Sequence, residues 1–185
     1  NVRMADLVIV AKCDSAGAED IAAVEASVRA LNPRAEVLRC DSPVTLDDPA
    51  AVAGRRVVVV EDGPTLTHGS MTFGAGVVGA KDAGAGGIVD PIPFAVGPLA
   101  DTFASYPNAR GILPAMGYGQ AQTRDLEATI RAMVDAGVVD VVVSGTPVDL
   151  TRVLTVDVPL VRARYSLREQ QPGRLQSALE RTLNR

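Results

Sequence analysis

Between Val57 and Gly79 the chain reads VVVVEDGPTLTHGSMTFGAGVVG. Four valines lead into Glu61 and Asp62. A loop follows that holds Thr65, Thr67, the sole histidine His68, Gly69, Ser70 and Gly74. Carboxylates, hydroxyls, an imidazole and flexible backbone then sit where a strand hands over to a helix. In an open α/β sheet ligands bind outside the carboxyl ends of the strands. The residue types suit phosphate and metal-ion chemistry. Glu61 or Asp62 could hold Mg²⁺, backbone N–H groups of Thr67 to Ser70 could cradle an oxyanion, and His68 could pair with a phosphate or move a proton. The bland alternative is a Gly-rich turn whose glycines let a helix pack closely on the sheet.

Two further segments have the same layout. Ala11-Lys12-Cys13-Asp14 follows the first apolar strand and approximates Asn-Lys-x-Asp, the base-recognition motif of GTP-binding proteins, with Ala in place of Asn. In that reading the Asp14 carboxylate accepts from the base and the Lys12 stem packs on it. In the alternative, Asp14 or Ser15 caps the next helix. Ser144-Gly145-Thr146-Pro147 follows VVDVVVS and precedes Asp149-Leu150-Thr151-Arg152. A small-residue turn before a helix N-terminus can bind an anion, and Arg152 could clamp a phosphate; Asp149 as a helix cap is the alternative. The phosphate-binding pattern GxxxxGK[ST] does not occur, and both lysines, Lys12 and Lys81, follow Ala. These residues alone hold no complete nucleotide site.

Alternating strands and helices must position the three segments. Apolar runs predict strands at Asp6–Ala11, Glu36–Cys40, Arg56–Glu61, Gly87–Asp90, Arg110–Leu113, Val138–Ser144 and Leu160–Tyr165. Helical spacing predicts helices at Ala18–Leu31, Phe73–Ala85, Gly97–Tyr106, Gln120–Ala136 and Gly173–Leu183, with a short one at Asp149–Val153. The expected fold class is therefore α/β, a mainly parallel sheet with helices on both faces. The first apolar strand needs neighbours on both sides, and these lie either later in this chain or upstream of Asn1.

Composition narrows the function classes. The 185 residues are 47% hydrophobic but 3% aromatic, which favours a Val/Ala-rich parallel sheet over a β-sandwich. A net charge of −4 argues against nucleic acid as a partner. No apolar run is long enough to span a membrane. Cys13 and Cys40 lack CxxC spacing and read as reduced thiols of a cytoplasmic protein.

VRMADLVIVAKCD, VVVVEDGPTLTHGSMTFGAG, GAGGIVDPIPFAVG, LPAMGY and VVVSGTPVDLTRV, in that order over most of residues 2–165, resemble the C-terminal half of cyclic 2,3-diphosphoglycerate synthetase and its bacterial homologues, often labelled GTPases. The resemblance implies a P-loop NTPase-like, three-layer fold whose phosphate-binding loop lies upstream. Residues 1–56 would then complete the nucleotide-binding domain, residues 57–165 carry substrate and catalytic groups, and residues 166–185 form a terminal helix.

The implied reaction joins the two phosphates of 2,3-diphosphoglycerate into an intramolecular anhydride, with ATP (or GTP) and Mg²⁺ consumed or bound and a homodimer as the expected assembly. One substrate phosphate attacks the nucleotide γ-phosphoryl group, and the neighbouring phosphate then displaces the activated one. Glu61, Asp62, Thr67, His68 and Ser70 become the catalytic candidates, with Glu61 and Asp62 as metal ligands. Lys12, Asp14, Ser144, Gly145 and Thr146 become nucleotide contacts, and Gly69, Gly74 and Arg152 substrate contacts. A GTPase-like or metallochaperone-type switch and a non-catalytic dimerisation module are the alternatives.

Overall fold

The computed structural model describes residues 1–63, 73–106 and 111–184. The chain divides into two compact units, one made of Asn1–Pro43 with Tyr165–Arg185, the other of Val44–Arg164.

The first unit carries a three-stranded sheet in the order β1-β2-β9. β1 (Leu7–Val10) runs parallel to β2 (Glu36–Asp41), with Leu7 opposite Glu36 and Val10 opposite Arg39. Helix α1 (Ala18–Leu31) makes the crossover, ends at Asn32 before Pro33, and buries Ile21 and Val28. The short strand β9 (Arg168–Glu169) joins β2 antiparallel. The last helix, α5 (Arg174–Leu183), is tied to β2 because Arg174 and Arg181 both reach Glu36.

The second unit is a six-stranded sheet in the order β3-β8-β7-β4-β5, with β6 also paired to β4. The strands are β3 (Val44–Leu46), β4 (Arg56–Asp62), β5 (Gly87–Ile88), β6 (Leu113–Ala115), β7 (Val141–Ser144) and β8 (Leu160–Tyr165). β4 runs parallel to β5, β6 and β7, and β7 parallel to β8. Val57, Val58, Val59 and Val60 are all fully buried. A parallel strand covered on both faces must be a continuous apolar run, and each such side chain contributes about 1.5–3 kcal/mol. Helix α2 (Ala75–Asp82) and α3 (Pro98–Ser105) follow β4 and β5. Helix α4 (Gln120–Asp135) buries Leu126, Ile130 and Met133, and Gly137 at φ +66° turns the chain into β7.

This is a mixed α/β architecture of two sheets with five α-helices among the described residues, compatible with a three-layer arrangement. Several expected elements are shorter. The helix expected at Phe73–Ala85 begins after Gly74, and the strand expected at Val138–Ser144 begins at Val141, because Gly137 and Val138 close the preceding helix by backbone bonds to Val134 and Met133. The strand expected at Arg110–Leu113 falls instead at Leu113–Ala115, and the short helix at Asp149–Val153 is a 3₁₀ turn over Leu150–Arg152. Among the described residues, no helix is long and apolar enough to cross a membrane.

Candidate active site

Strand alternation sends the consecutive carboxylates Glu61 and Asp62 to opposite faces of β4. Glu61 is 1% exposed. Its Oε1 accepts the Val77 N–H at 3.1 Å, and the N–H groups of Gly76 and Gly74 also bond to the carboxylate. The N-cap of α2 is Gly74, which has no side chain to offer, so Glu61 takes over the capping of that helix from the sheet. Burial pushes the Glu61 carboxyl pKa up, against the pull of the three N–H groups.

Glycines make room for this carboxylate. A Cβ on Gly74 would lie 2.6 Å from Glu61 Cδ, and one on Gly76 would lie 2.7 Å from Val59 Cγ1 and 3.1 Å from Glu61 Oε1. A Cβ on Gly145 would sit 2.6 Å from Glu61 Cδ and 2.5 Å from the Gly76 nitrogen. Glu61, Gly74 and Gly145, expected as catalytic, substrate and nucleotide residues, therefore meet in one packed knot between β4, α2 and the turn after β7.

Asp62 faces a different set of groups. β7 pairs with β4 so that Ser144 stands opposite Val60, on the face that Asp62 shares two residues later. Tyr118, in the loop between β6 and α4, donates its hydroxyl proton to Asp62 Oδ1 at 3.3 Å. Its hydroxyl also lies beside that of Thr146, and burial pushes its pKa up. Thr146 Oγ1 donates in turn to the Val148 carbonyl at 3.0 Å. Ser144 is fully buried, and its Oγ has no hydrogen-bond partner among the described residues. Gly63 follows in close contact with the β6 loop: a Cβ there would lie 2.5 Å from Met116 Sδ and 2.9 Å from the Ala115 carbonyl oxygen.

Arg152 stands apart from this corner. Its side chain is 85% exposed and pairs with Asp149 at 3.6 Å. Asp149 accepts from both the backbone and the hydroxyl of Thr151, which is the capping role weighed for it. Thr65, Thr67, His68, Gly69 and Ser70 lie outside the described residues.

In the first unit, Lys12 and Asp14 are both exposed. Lys12 adopts φ +61°, a left-handed conformation unusual for a residue with a side chain. Asp14 Oδ1 accepts the Ser42 N–H at 3.0 Å, which joins the loop after β1 to the end of β2. Neither Asp14 nor Ser15 caps α1: its N-cap is Gly17, without a side-chain bond. Cys13 donates its N–H to the Cys40 carbonyl at 3.1 Å, and both thiols are free and buried.

Among the described residues, no group of three or more His, Cys, Asp and Glu is placed to hold a metal ion. Mg²⁺ commonly takes one or two carboxylates plus substrate phosphate oxygens. Asp62 can be one of these, whereas the Glu61 oxygens are committed to the N–H groups of α2. Sequence reasoning missed Tyr118 as a site residue. Its signal was the loop Pro114-x-Met116-Gly117-Tyr118-Gly119 at a strand end, with nothing local to aim the phenol at Asp62.

No family model matches the chain. Over 180 residues the chain is 48% identical to a protein of Thermococcus kodakarensis named arginine synthetase ArcE, a match that covers 97% of this chain. The same match covers 39% of that relative, so the chain spans well under half of its length. The relative's name is not that of the cyclic 2,3-diphosphoglycerate synthetases that the motifs resemble, and it denotes a synthetase that makes arginine.

Proposed function

We propose that this chain is one part of a nucleotide-dependent synthetase, an enzyme of ligase type, and that its second unit carries substrate groups of the active site. The observation that carries this reading is the polar corner at the carboxyl ends of β4 and β7, where Tyr118 meets Asp62 and Thr146 and the unpartnered Ser144 lies on the same sheet face. The 48% identity to a protein named arginine synthetase supports the reaction class and favours arginine as product.

A ligase of this kind activates a substrate oxygen by phosphoryl transfer and then lets a nucleophile expel phosphate. For arginine, the oxygen of a ureido group takes the γ-phosphoryl group of ATP. Ammonia then adds at that carbon and phosphate leaves, giving a guanidinium group, ADP and phosphate. Asp62 orients the substrate by accepting its N–H groups, and Tyr118 and Thr146 hold the corner in shape. Lys12 and Asp14 contact the nucleotide base, and the groups that grip the nucleotide phosphates come from outside these residues.

Ring closure of 2,3-diphosphoglycerate remains the second reading. It is favoured by the EDGPTLTHG and SGTPVDLTR strings and uses the same activation of an oxygen followed by loss of phosphate. The test measures ADP release from ATP by the full-length polypeptide with a ureido amino acid plus ammonia, and separately with 2,3-diphosphoglycerate. ADP formed only with the first pair supports the arginine reading, and only with the second supports ring closure. ADP or GDP formed slowly and equally without either substrate overturns both in favour of a hydrolytic switch.

A further inference from the structure

A buried hydroxyl without a partner is costly in a folded protein, and Ser144 Oγ is in that state among the described residues. The register of β7 on β4 puts Ser144 on the Asp62 face. Asp62 keeps oxygen lone pairs beyond the one that receives the Tyr118 proton. No Lys or Arg among the described residues pairs with Asp62. A corner built of a carboxylate and a free hydroxyl oxygen attracts N–H donors and repels anions.

We propose that Asp62 and Ser144 receive the nitrogen-bearing end of the substrate or product, a planar ureido or guanidino group, through its N–H donors. Tyr118 acts as a positioning residue that fixes the Asp62 carboxylate, and Thr146 fixes Tyr118. A guanidinium or urea presents several N–H groups in one plane, which suits acceptors on neighbouring strands of a sheet edge. A phosphate presents only acceptors and would set its charge against Asp62. The inference rests on the synthetase reading and narrows it by naming which group of the ligand this corner holds.

The test is calorimetric titration of the full-length polypeptide with L-arginine and with 2,3-diphosphoglycerate, for the wild type, Ser144→Ala, Asp62→Asn and Tyr118→Phe, with a urea melt of each. Arginine should bind the wild type. Ser144→Ala should weaken binding about 5- to 150-fold, and Asp62→Asn at least about tenfold. The Ser144→Ala melt midpoint should not fall, because the free protein loses no bond there. Tyr118→Phe should weaken arginine binding, and binding should recover partly with Tyr118→His, which restores a donor.

Three results overturn the inference. They are no arginine binding, wild-type arginine affinity in both Ser144→Ala and Asp62→Asn, or a lower Ser144→Ala midpoint with unchanged affinity. Wild-type affinity in those variants together with arginine-forming ADP release would remove this inference and leave the synthetase reading standing. Binding of 2,3-diphosphoglycerate that Asp62→Asn strengthens would remove the inference by making the corner a neighbour of phosphate.

Discussion

Glu61 and Gly145 lie 84 positions apart in the chain, yet a single added carbon on Gly145 would come within 2.6 Å of the Glu61 carboxyl carbon. The turn after β7 can pass over the end of β4 only because residue 145 has no side chain. That pass fixes where Ser144 and Thr146 point. The glycine of SGTP is thus explained by packing on a buried carboxylate.

Gly145→Ala should therefore destabilise the fold by about 1–3 kcal/mol, the range for forcing extra atoms into a filled site. Neither the Gly76 backbone nitrogen nor the buried Glu61 can give way cheaply. A fall in the urea midpoint at unchanged slope is the expected outcome, and a midpoint equal to wild type would contradict it.

Glu61→Ala should cost stability by about 1–3 kcal/mol or more, since it leaves buried N–H groups of α2 without their acceptor. Hydrogen exchange should quicken first at Val77 and Gly76. The wild type also carries a pH signature here. Its folded pKa is raised, so this group's favourable contribution is full below the ordinary glutamate pKa of 4.5 and fades as pH rises through the folded value. Glu61→Gln should lack that fading, as read from urea melts from pH 4 upward.

Arg56 and Asp140 supply the opposite sign. The guanidinium of Arg56 donates to both Asp140 oxygens, at 2.7 and 3.0 Å, and holds that carboxyl down to about 2. A depressed carboxyl contributes stability that is present above its ordinary value of 3.8 and is lost as pH falls toward 2. Asp140→Asn should flatten the acid limb of the stability curve between those values. An unchanged acid limb would show the pair to be open in solution.

Asp14→Ala in the full-length protein should lower nucleotide affinity about 5- to 150-fold, the worth of a hydrogen bond to a bound base. Asp14 is exposed and bonds only the Ser42 N–H among the described residues, so the fold should survive. Titration with ATP and with GTP checks this, and unchanged affinity for both would return the loop to a structural tie between β1 and β2.

Much of the fold was legible because its signals are local. Val57–Val60 is a four-residue apolar run that only a doubly covered strand explains. Leu126, Ile130 and Met133 repeat at helical spacing, and Asn32-Pro33 and Gly137 mark helix ends. β3 and β9 were missed because three and two residues carry no periodicity, and β9 pairs with Cys40 and Asp41 more than 120 positions away. In the site, the run Glu61-Asp62 was visible as chemistry, but its division of labour was not. The expected strand stopped at Glu61, whereas the real one continues through Asp62 and sends the two carboxylates to opposite faces. Tyr118 could not be aimed at Asp62 from sequence, because that contact exists only once β6 lies beside β4.

The most direct test of the account is the turnover of full-length Asp62→Asn, read as substrate-dependent ADP release alongside a urea melt. The corner reading predicts that kcat/KM falls about 10²- to 10³-fold, the loss typical of a preorganised charge facing the reacting group, with the melt midpoint little changed. Turnover within twofold of wild type on the substrate that drives ADP release would contradict the claim that the end of β4 is where this protein meets its substrate.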